Sequence, residues 1–276
     1  MIRLVLCDID NTLVPLGEPA ATEHAIASVH ALLDAGVAFG PATGRDLDGL
    51  ERFFRGDGAC YATGLVSNGK LIYLDGRLVN ATYLDRGAVE RLFGFVAPLA
   101  DSFALVRCGG VDYACGATPE ALRGSADVIG TDVVPLDRVP DGDIVACTVA
   151  CLGDERRNRW LVESLAGICP TLELLSPVTG YYDVVPLGWN KANAMGRLCD
   201  IMGISPDEVC AFGDSENDVP LLRAAGVSVA VSNAMPAAAG AARYHIGPCA
   251  EDAVAAALLD IAEAARTGGT PAFMGI

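Results

Sequence analysis

The segment MIRLVLCDIDNTLV constrains this chain more than any other. Ile2 to Cys7 is an unbroken apolar run that stops at two acids, Asp8 and Asp10. A strand that is apolar on both faces belongs in a parallel sheet covered by helices on each side. Side chains alternate along a strand, so residues two apart share a face. Two carboxylates on one face repel, and something cationic must offset them. The start of the chain therefore implies both an architecture and a chemical problem at the end of one strand.

The architecture continues in the same pattern. Thr22 to Ala35 reads as a helix with Thr22 as N-cap and Gly36 as its stop. Val37–Ala42 is a second strand running into Thr43-Gly44-Arg45, Asp46–Arg55 a short helix, and Gly64–Ser67 a third strand ending at Asn68-Gly69. KLIYLDGRLVN places Asp75-Gly76 between alternating apolar positions, the signature of a hairpin. From about Asp85 to Asp183 the texture changes. Helices over Arg86–Leu99 and Asp154–Ala166 accompany strands over Phe103–Arg107, Asp143–Leu152, Thr171–Leu175 and Tyr181–Val185. After Pro186 the alternation returns, with helices at Lys191–Met202, Pro220–Ala225 and Asp252–Arg266 and strands at Glu208–Phe212 and Val227–Val231. The expected fold is α/β. A Rossmann-like, doubly wound parallel sheet core, residues 1–82 and 186–276, carries an inserted α+β domain at 83–185.

Composition excludes several functions. With 19 basic and 35 acidic residues the formal charge is −16, so neither a nucleic acid nor an anionic membrane is an expected partner. No run approaches the roughly 20 apolar residues of a membrane span. The N-terminal segment does not read as a signal peptide, and a cytoplasmic location is the expectation. The ten cysteines form no Cys-x-x-Cys and sit mostly in apolar runs, so they read as buried reduced thiols. His24, His30 and His245 read as surface or packing residues, as do Trp160 and Trp189.

In open α/β sheets, function gathers at the carboxyl ends of the strands. Asp8/Asp10, Thr43-Gly44-Arg45 and Asp214/Asn217/Asp218 all fall there, and Lys191 opens a helix. Three acids at one sheet edge suit a hard divalent cation with oxygen ligands, and Mg²⁺ is the natural choice. A cation, a lysine and a hydroxyl facing a carboxylate make a phosphoryl-transfer site. The metal and Lys191 neutralise charge on the phosphoryl oxygens while Thr43 and backbone amides hold them. One carboxylate attacks in line, and a second acid manages the proton.

These residues, in this order, resemble a known family. DIDNTL, the apolar strand ending in TGR, Lys191 and GDSEND resemble the haloacid dehalogenase (HAD) superfamily of phosphatases. The long insertion between TGR and the lysine, Asn68-Gly69, and VSVAVSNAMPAAAGAA resemble its Cof-type branch, in which a cap domain occupies the insertion. The resemblance implies that Asp8 is the nucleophile forming a phosphoaspartate. It makes Asp10 the general acid/base, with its backbone carbonyl facing the metal. Thr43, Gly44, Lys191 and Asn217 become phosphate ligands, and Asp214 a further metal contact. Asp218 would orient metal waters or Lys191, and Asn68 would line the substrate site; Arg45, read from the residues alone, either helps bind substrate or pairs with an acid. Two positions depart from the family pattern: Asn11 and Ala192 stand where Gly is usual. Asn tolerates left-handed backbone better than other residues with a side chain, so the turn at Asn11 should survive.

The function expected is Mg²⁺-dependent hydrolysis of a small phosphomonoester, such as a sugar phosphate or a phosphorylated cofactor, by a monomer or homodimer. A phosphomutase or phosphotransferase would use the same aspartyl-phosphate and differ in its product. A phospholigand sensor without activity would be expected to lack one of Asp8, Asp10, Lys191 or Asp214, and all four are present.

Overall fold

The computed structural model describes residues 1–129 and 132–275. Its backbone divides into two units, Met1–Ala81 with Asn190–Ile276, and Thr82–Trp189.

The first unit begins with β1 (Leu4–Cys7), α1 (Glu23–Asp34), β2 (Ala38–Pro41) and α2 (Leu47–Phe53). β3 (Gly64–Val66), β4 (Leu71–Leu74) and β5 (Arg77–Ala81) follow and form a three-stranded antiparallel sheet. Thr22 caps α1 by accepting a hydrogen bond from the Ala25 N–H, and Gly36 ends the turn with φ +79. The β4–β5 hairpin turns on Asp75 (φ 51) and Gly76 (φ 75). This left-handed pair matches the twist of the flanking strands.

The second unit contains α3 (Arg86–Val96), β6 (Ser102–Cys108), β7 (Val111–Cys115), α4 (Pro119–Ile129), β8 (Val134–Leu136), β9 (Ile144–Cys151), α5 (Glu155–Ile168), β10 (Leu172–Val178) and β11 (Tyr181–Pro186). Its six strands run in the order β10-β11-β9-β6-β7-β8, antiparallel except for the β7–β8 pair. Val89 and Leu92 of α3 pack with Leu161 and Leu165 of α5 on one face. Ala121 and Ile129 of α4 lie on the other, against Phe103 and Tyr181. Neither β7, α4 nor β8 is read from the sequence. On α4 the inward stripe of Ala121 and Ile129 has the buried polar Ser125 at its centre, and Val128 is exposed.

The chain then completes the first unit with α6 (Lys191–Met202), β12 (Val209–Gly213), α7 (Val219–Ala224), β13 (Val227–Val231), α8 (Pro236–Ala241), β14 (Tyr244–Ile246) and α9 (Ala253–Thr267). β14 is a further strand that sequence reading misses; it has three residues, one of them His245. Five parallel strands form the sheet β14-β13-β12-β1-β2. Val5 and Cys7 join the cluster that includes Val29 and Leu32 of α1 and Leu258 and Ile261 of α9. Leu4 and Leu6, pointing the other way, are equally buried. The sheet is therefore covered on both faces, as the N-terminal run requires. From β1 the chain winds outward to β2 on one side and later returns to β12 on the other. The strand order thus reverses between β1 and β12, where open sheets of this kind place their sites.

Candidate active site

β1 and β12 are adjacent and parallel, and each is followed at once by an acid, Asp8 and Asp214. β1 ends at Cys7, so the strand alternation read from the sequence does not carry on through Asp8 and Asp10. The chain instead turns at Asn11, whose φ of 60 is left-handed. Asn11 Oδ1 accepts from the Leu16 N–H at 3.0 Å, and its carbonyl accepts from Asn233 Nδ2 at 2.7 Å. The two acids consequently take different partners.

Asp8 is buried and faces Lys191, the first residue of α6. Asn190 caps that helix through the Ala192 and Asn193 N–H groups, and Asn193 returns a bond to the Asn190 N–H. This capping box fixes where Lys191 emerges. Lys191 Nζ donates to Asp8 Oδ1 at 2.7 Å and to Asp218 Oδ1 at 2.6 Å. The other oxygen of Asp218 accepts from the Asp214 and Ser215 N–H groups, each at 3.1 Å. Asp10 lies outside this group. Arg45 holds its carboxylate with two bonds, Nε to Oδ2 at 3.0 Å and Nη2 to Oδ1 at 2.6 Å, while the guanidinium rests over the Phe53 ring at 4.6 Å.

The loop after β2 is clipped in place by backbone bonds. The Thr43 N–H reaches Leu65 C=O, the Asn68 N–H reaches Thr43 C=O, and the Ser67 N–H reaches Arg45 C=O. The Ala42 N–H bonds Cys7 C=O at 2.8 Å, which sets Thr43 and Gly44 beside the end of β1. Thr43 and Asn68 are buried, and Ser67, Asn68 and Gly69 are left-handed in succession (φ 53, 58 and 77). Non-glycine residues bear a cost there. Asn217 accepts from Ser215 Oγ at 2.6 Å beside Asp218.

Sequence reading misses two contributors. Thr12, fully buried, donates its hydroxyl to Asp214 Oδ1 at 2.9 Å. Gly213, the last residue of β12, leaves room for Asp218: a Cβ there would lie 2.6 Å from the Asp218 Cβ. Each belongs to a quoted motif, and neither carries a charge that would single it out.

The electrostatics follow from burial. Asp8 is raised to about 7 because burial penalises its charge, Lys191 opposing and Asp218 and Asp214 adding to the shift. Asp214 is raised to about 6 by burial, against the hydrogen bond from Thr12. Burial pulls Lys191 down, but Asp218 and Asp8 outweigh it and hold the ammonium above its ordinary value. Oxygens of Asp8, Asp214 and Asp218 all lie within 4.8 Å of one another. Three buried carboxylates thus share one ammonium. A donor set of hard oxygens with excess negative charge fits a small divalent cation. Asp218 belongs to this trio, where the family resemblance implies only an orienting part for it, and the Asp10 carboxylate does not.

Residues 5–258 match the haloacid dehalogenase-like hydrolase family. Phosphoglycolate phosphatase of Methanoculleus marisnigri is 27% identical over 238 residues, covering 85% of this chain and 86% of that one. Phosphoglycolate phosphatase of Halorubrum lacusprofundi is 44% identical over 84 residues, 30% of this chain and only 37% of that protein's length. Among solved structures, the phosphatase BT1666 of Bacteroides thetaiotaomicron superposes with a TM-score of 0.78 at 21% identity, covering 95% of each chain; this shows a shared fold.

Proposed function

The chain belongs to the haloacid dehalogenase-like hydrolases, in their Cof-type branch, and from that premise we propose that it hydrolyses a small phosphomonoester through a phosphoryl group carried transiently on Asp8. It is a phosphoric monoester hydrolase. The observation that carries the mechanism is the buried Lys191, bonded to both Asp8 and Asp218 in a group that also holds Asp214.

Asp8 attacks the phosphorus in line, and the bond to the ester oxygen breaks. Asp10 gives its proton to the departing alkoxide, then takes one from the water that attacks the phosphoaspartate. Phosphate leaves and the Asp8 carboxylate is restored. Arg45 holds the Asp10 carboxylate with two bonds, so Asp10 must leave that pair to reach the leaving oxygen. Thr43, the Gly44 amide, Asn217 and Lys191 hold the phosphoryl oxygens, and Asp218 fixes Lys191. Arg45 and Asn68 line the space where the leaving group sits. Asp8, Asp214 and the Asp10 carbonyl would hold Mg²⁺, with Asp218, whose oxygens accept from Lys191 and from the Asp214 and Ser215 amides, orienting the site from behind; when bound the ion would supply positive charge against the phosphoryl oxygens and keep Asp8 ionised.

The relatives' names put 2-phosphoglycolate on the list of substrates to try, beside sugar phosphates and phosphorylated cofactors. Purified protein tested against such a panel should release phosphate from at least one member. EDTA should silence that activity and Mg²⁺ restore it. Asp8→Asn should lower turnover by about 10³-fold or more while the protein stays folded, because a removed nucleophile leaves only binding and electrostatics behind. Turnover like the wild type's in that variant would overturn the mechanism.

A further inference from the structure

Two groups of three or more metal-binding side chains occur among the described residues. One is the acid trio at the ends of β1 and β12. The other is His30, Asp57 and Cys60, also in the first unit, for which the hydrolase reaction has no use.

Local structure brings these three together. Arg55 (φ 55) and Gly56 (φ 78) reverse the chain after α2. A single 3-10 turn, Gly58–Cys60, then runs from Asp57, with the Cys60 N–H bonded to Asp57 C=O at 3.1 Å. Residues three apart on such a turn eclipse one another, so Asp57 and Cys60 face the same way. His30 on α1 meets them: its Nε2 lies 2.7 Å from Asp57 Oδ2. Nε2, the carboxylate oxygen and Sγ are all within 4.8 Å of one another. Cys60 is buried at the base, and His30 and Asp57 are half-exposed at the rim.

We propose that His30, Asp57 and Cys60 form a second divalent-metal site of the zinc class, with water completing a tetrahedron. One imidazole nitrogen, one carboxylate oxygen and one sulfur are the donors Zn²⁺ takes, and the sulfur disfavours Mg²⁺. Ligand bonds of about 2.0–2.3 Å in a tetrahedron put donor atoms about 3.3–3.8 Å apart. The His30–Asp57 contact therefore has to open by about 1 Å or less, which two half-exposed side chains can do. The exposed rim is an entry path, and binding releases the Sγ proton to solvent. The ion would clip α1 to the 57–60 turn.

Co²⁺ is the probe, because a cobalt–thiolate bond has a near-ultraviolet charge-transfer band that oxygen ligands do not give. Metal-free full-length protein titrated with Co²⁺ should develop this band to one equivalent. Cys60→Ser should abolish it, and His30→Ala should weaken Co²⁺ binding at least tenfold. Asp8→Asn should leave it in place, which separates this site from the acid trio. Zn²⁺ should also raise the thermal midpoint of Asp8→Asn, in which the acid trio is crippled, but not of the double variant Asp8→Asn/His30→Ala, whose added change is half-exposed and spares the core if Cys60→Ser folds poorly. No thiolate band in the wild type, or a band that survives in Cys60→Ser, overturns the proposal.

Discussion

Lys191 carries the heaviest electrostatic duty in the chain. It is buried between Asp8 and Asp218 and donates to both. Lys191→Met keeps the length of the side chain and takes away the charge, leaving two buried acids uncompensated. Breaking a buried pair in this way costs about 3–5 kcal/mol. Chemical denaturation at pH 7 should show a loss of that order, and the loss should shrink in acid as the carboxyls take up protons. A second prediction concerns pH. Asp8 at about 7 and Asp214 at about 6 hold protons in the folded state that the unfolded chain has released above 3.8. The folded state binds more protons through that window, so the stability of metal-free protein should fall as pH rises from about 4 to 7. A divalent cation should reverse the trend by favouring the ionised acids. Unfolding midpoints measured across this range, with and without Mg²⁺, check both statements. Asp8→Asn should flatten the metal-free slope; an unchanged slope would remove Asp8 as its cause.

At the scale of the element, the turn after β12 shows how strand and helix ends make a site from neutral residues. Asp218 folds back beneath Gly213, and its carboxylate caps the Asp214 and Ser215 amides while holding Lys191. The close approach needs a residue without a Cβ at 213, since the nearest Asp218 atom would stand 2.6 Å from one. Gly213→Ala should therefore push Asp218 and with it Lys191 aside. Turnover should fall by about 10²-fold or more, as a displacement of about 1 Å does in a positioned site. Rates measured beside a fold check by circular dichroism test this; unchanged kcat and KM would mean that the turn absorbs the methyl group. This contact also marks where sequence reading stops. The charged letters Asp8, Lys191, Asp214 and Asp218 announce themselves at strand and helix ends, and the structure does bring those four together. Gly213 and the Thr12 hydroxyl matter only through a neighbour in space, and a linear pattern holds no trace of it. The same holds for elements. Asp75-Gly76 between alternating residues discloses the β4–β5 hairpin, because turn chemistry is local. α4 turns Ala121, Ser125 and Ile129 inward and leaves Val128 exposed, so a polar residue at the centre of its inner face masks the helical period in the sequence.

On the scale of the whole molecule, the chain leaves the first unit after Ala81 and re-enters it at Asn190. Each unit has its own apolar cluster. Val5, Phe39, Phe212 and Leu258 anchor one, and Val89, Leu92, Val149 and Leu161 the other. Residues 82–189 are continuous in sequence, so the segment can be expressed alone without joining distant pieces of chain. A domain of about 100 residues is large enough to hold a core of its own. Expressed alone, this segment should unfold in one cooperative thermal transition with the heat per residue of an ordinary small domain. The first unit is split in sequence, but its two ends can be rejoined. Asn80, next to the exit point, accepts a hydrogen bond from Arg197 on the second turn of α6 at 3.0 Å. An arginine side chain and two helical turns leave a gap of about 20 Å or less, which roughly six extended residues can span. A chain of 1–81, a Gly/Ser linker and 190–276 should therefore fold cooperatively and still bind Mg²⁺, since Asp8, Asp214, Asp218 and Lys191 all lie within it. Calorimetry on both pieces decides the matter. Two independent transitions would mean that the inserted segment is an energetic domain that evolution can exchange without touching the acid trio. A featureless melt from 82–189 would mean that its core depends on the rest of the chain, and that the division seen in the backbone is not one of stability.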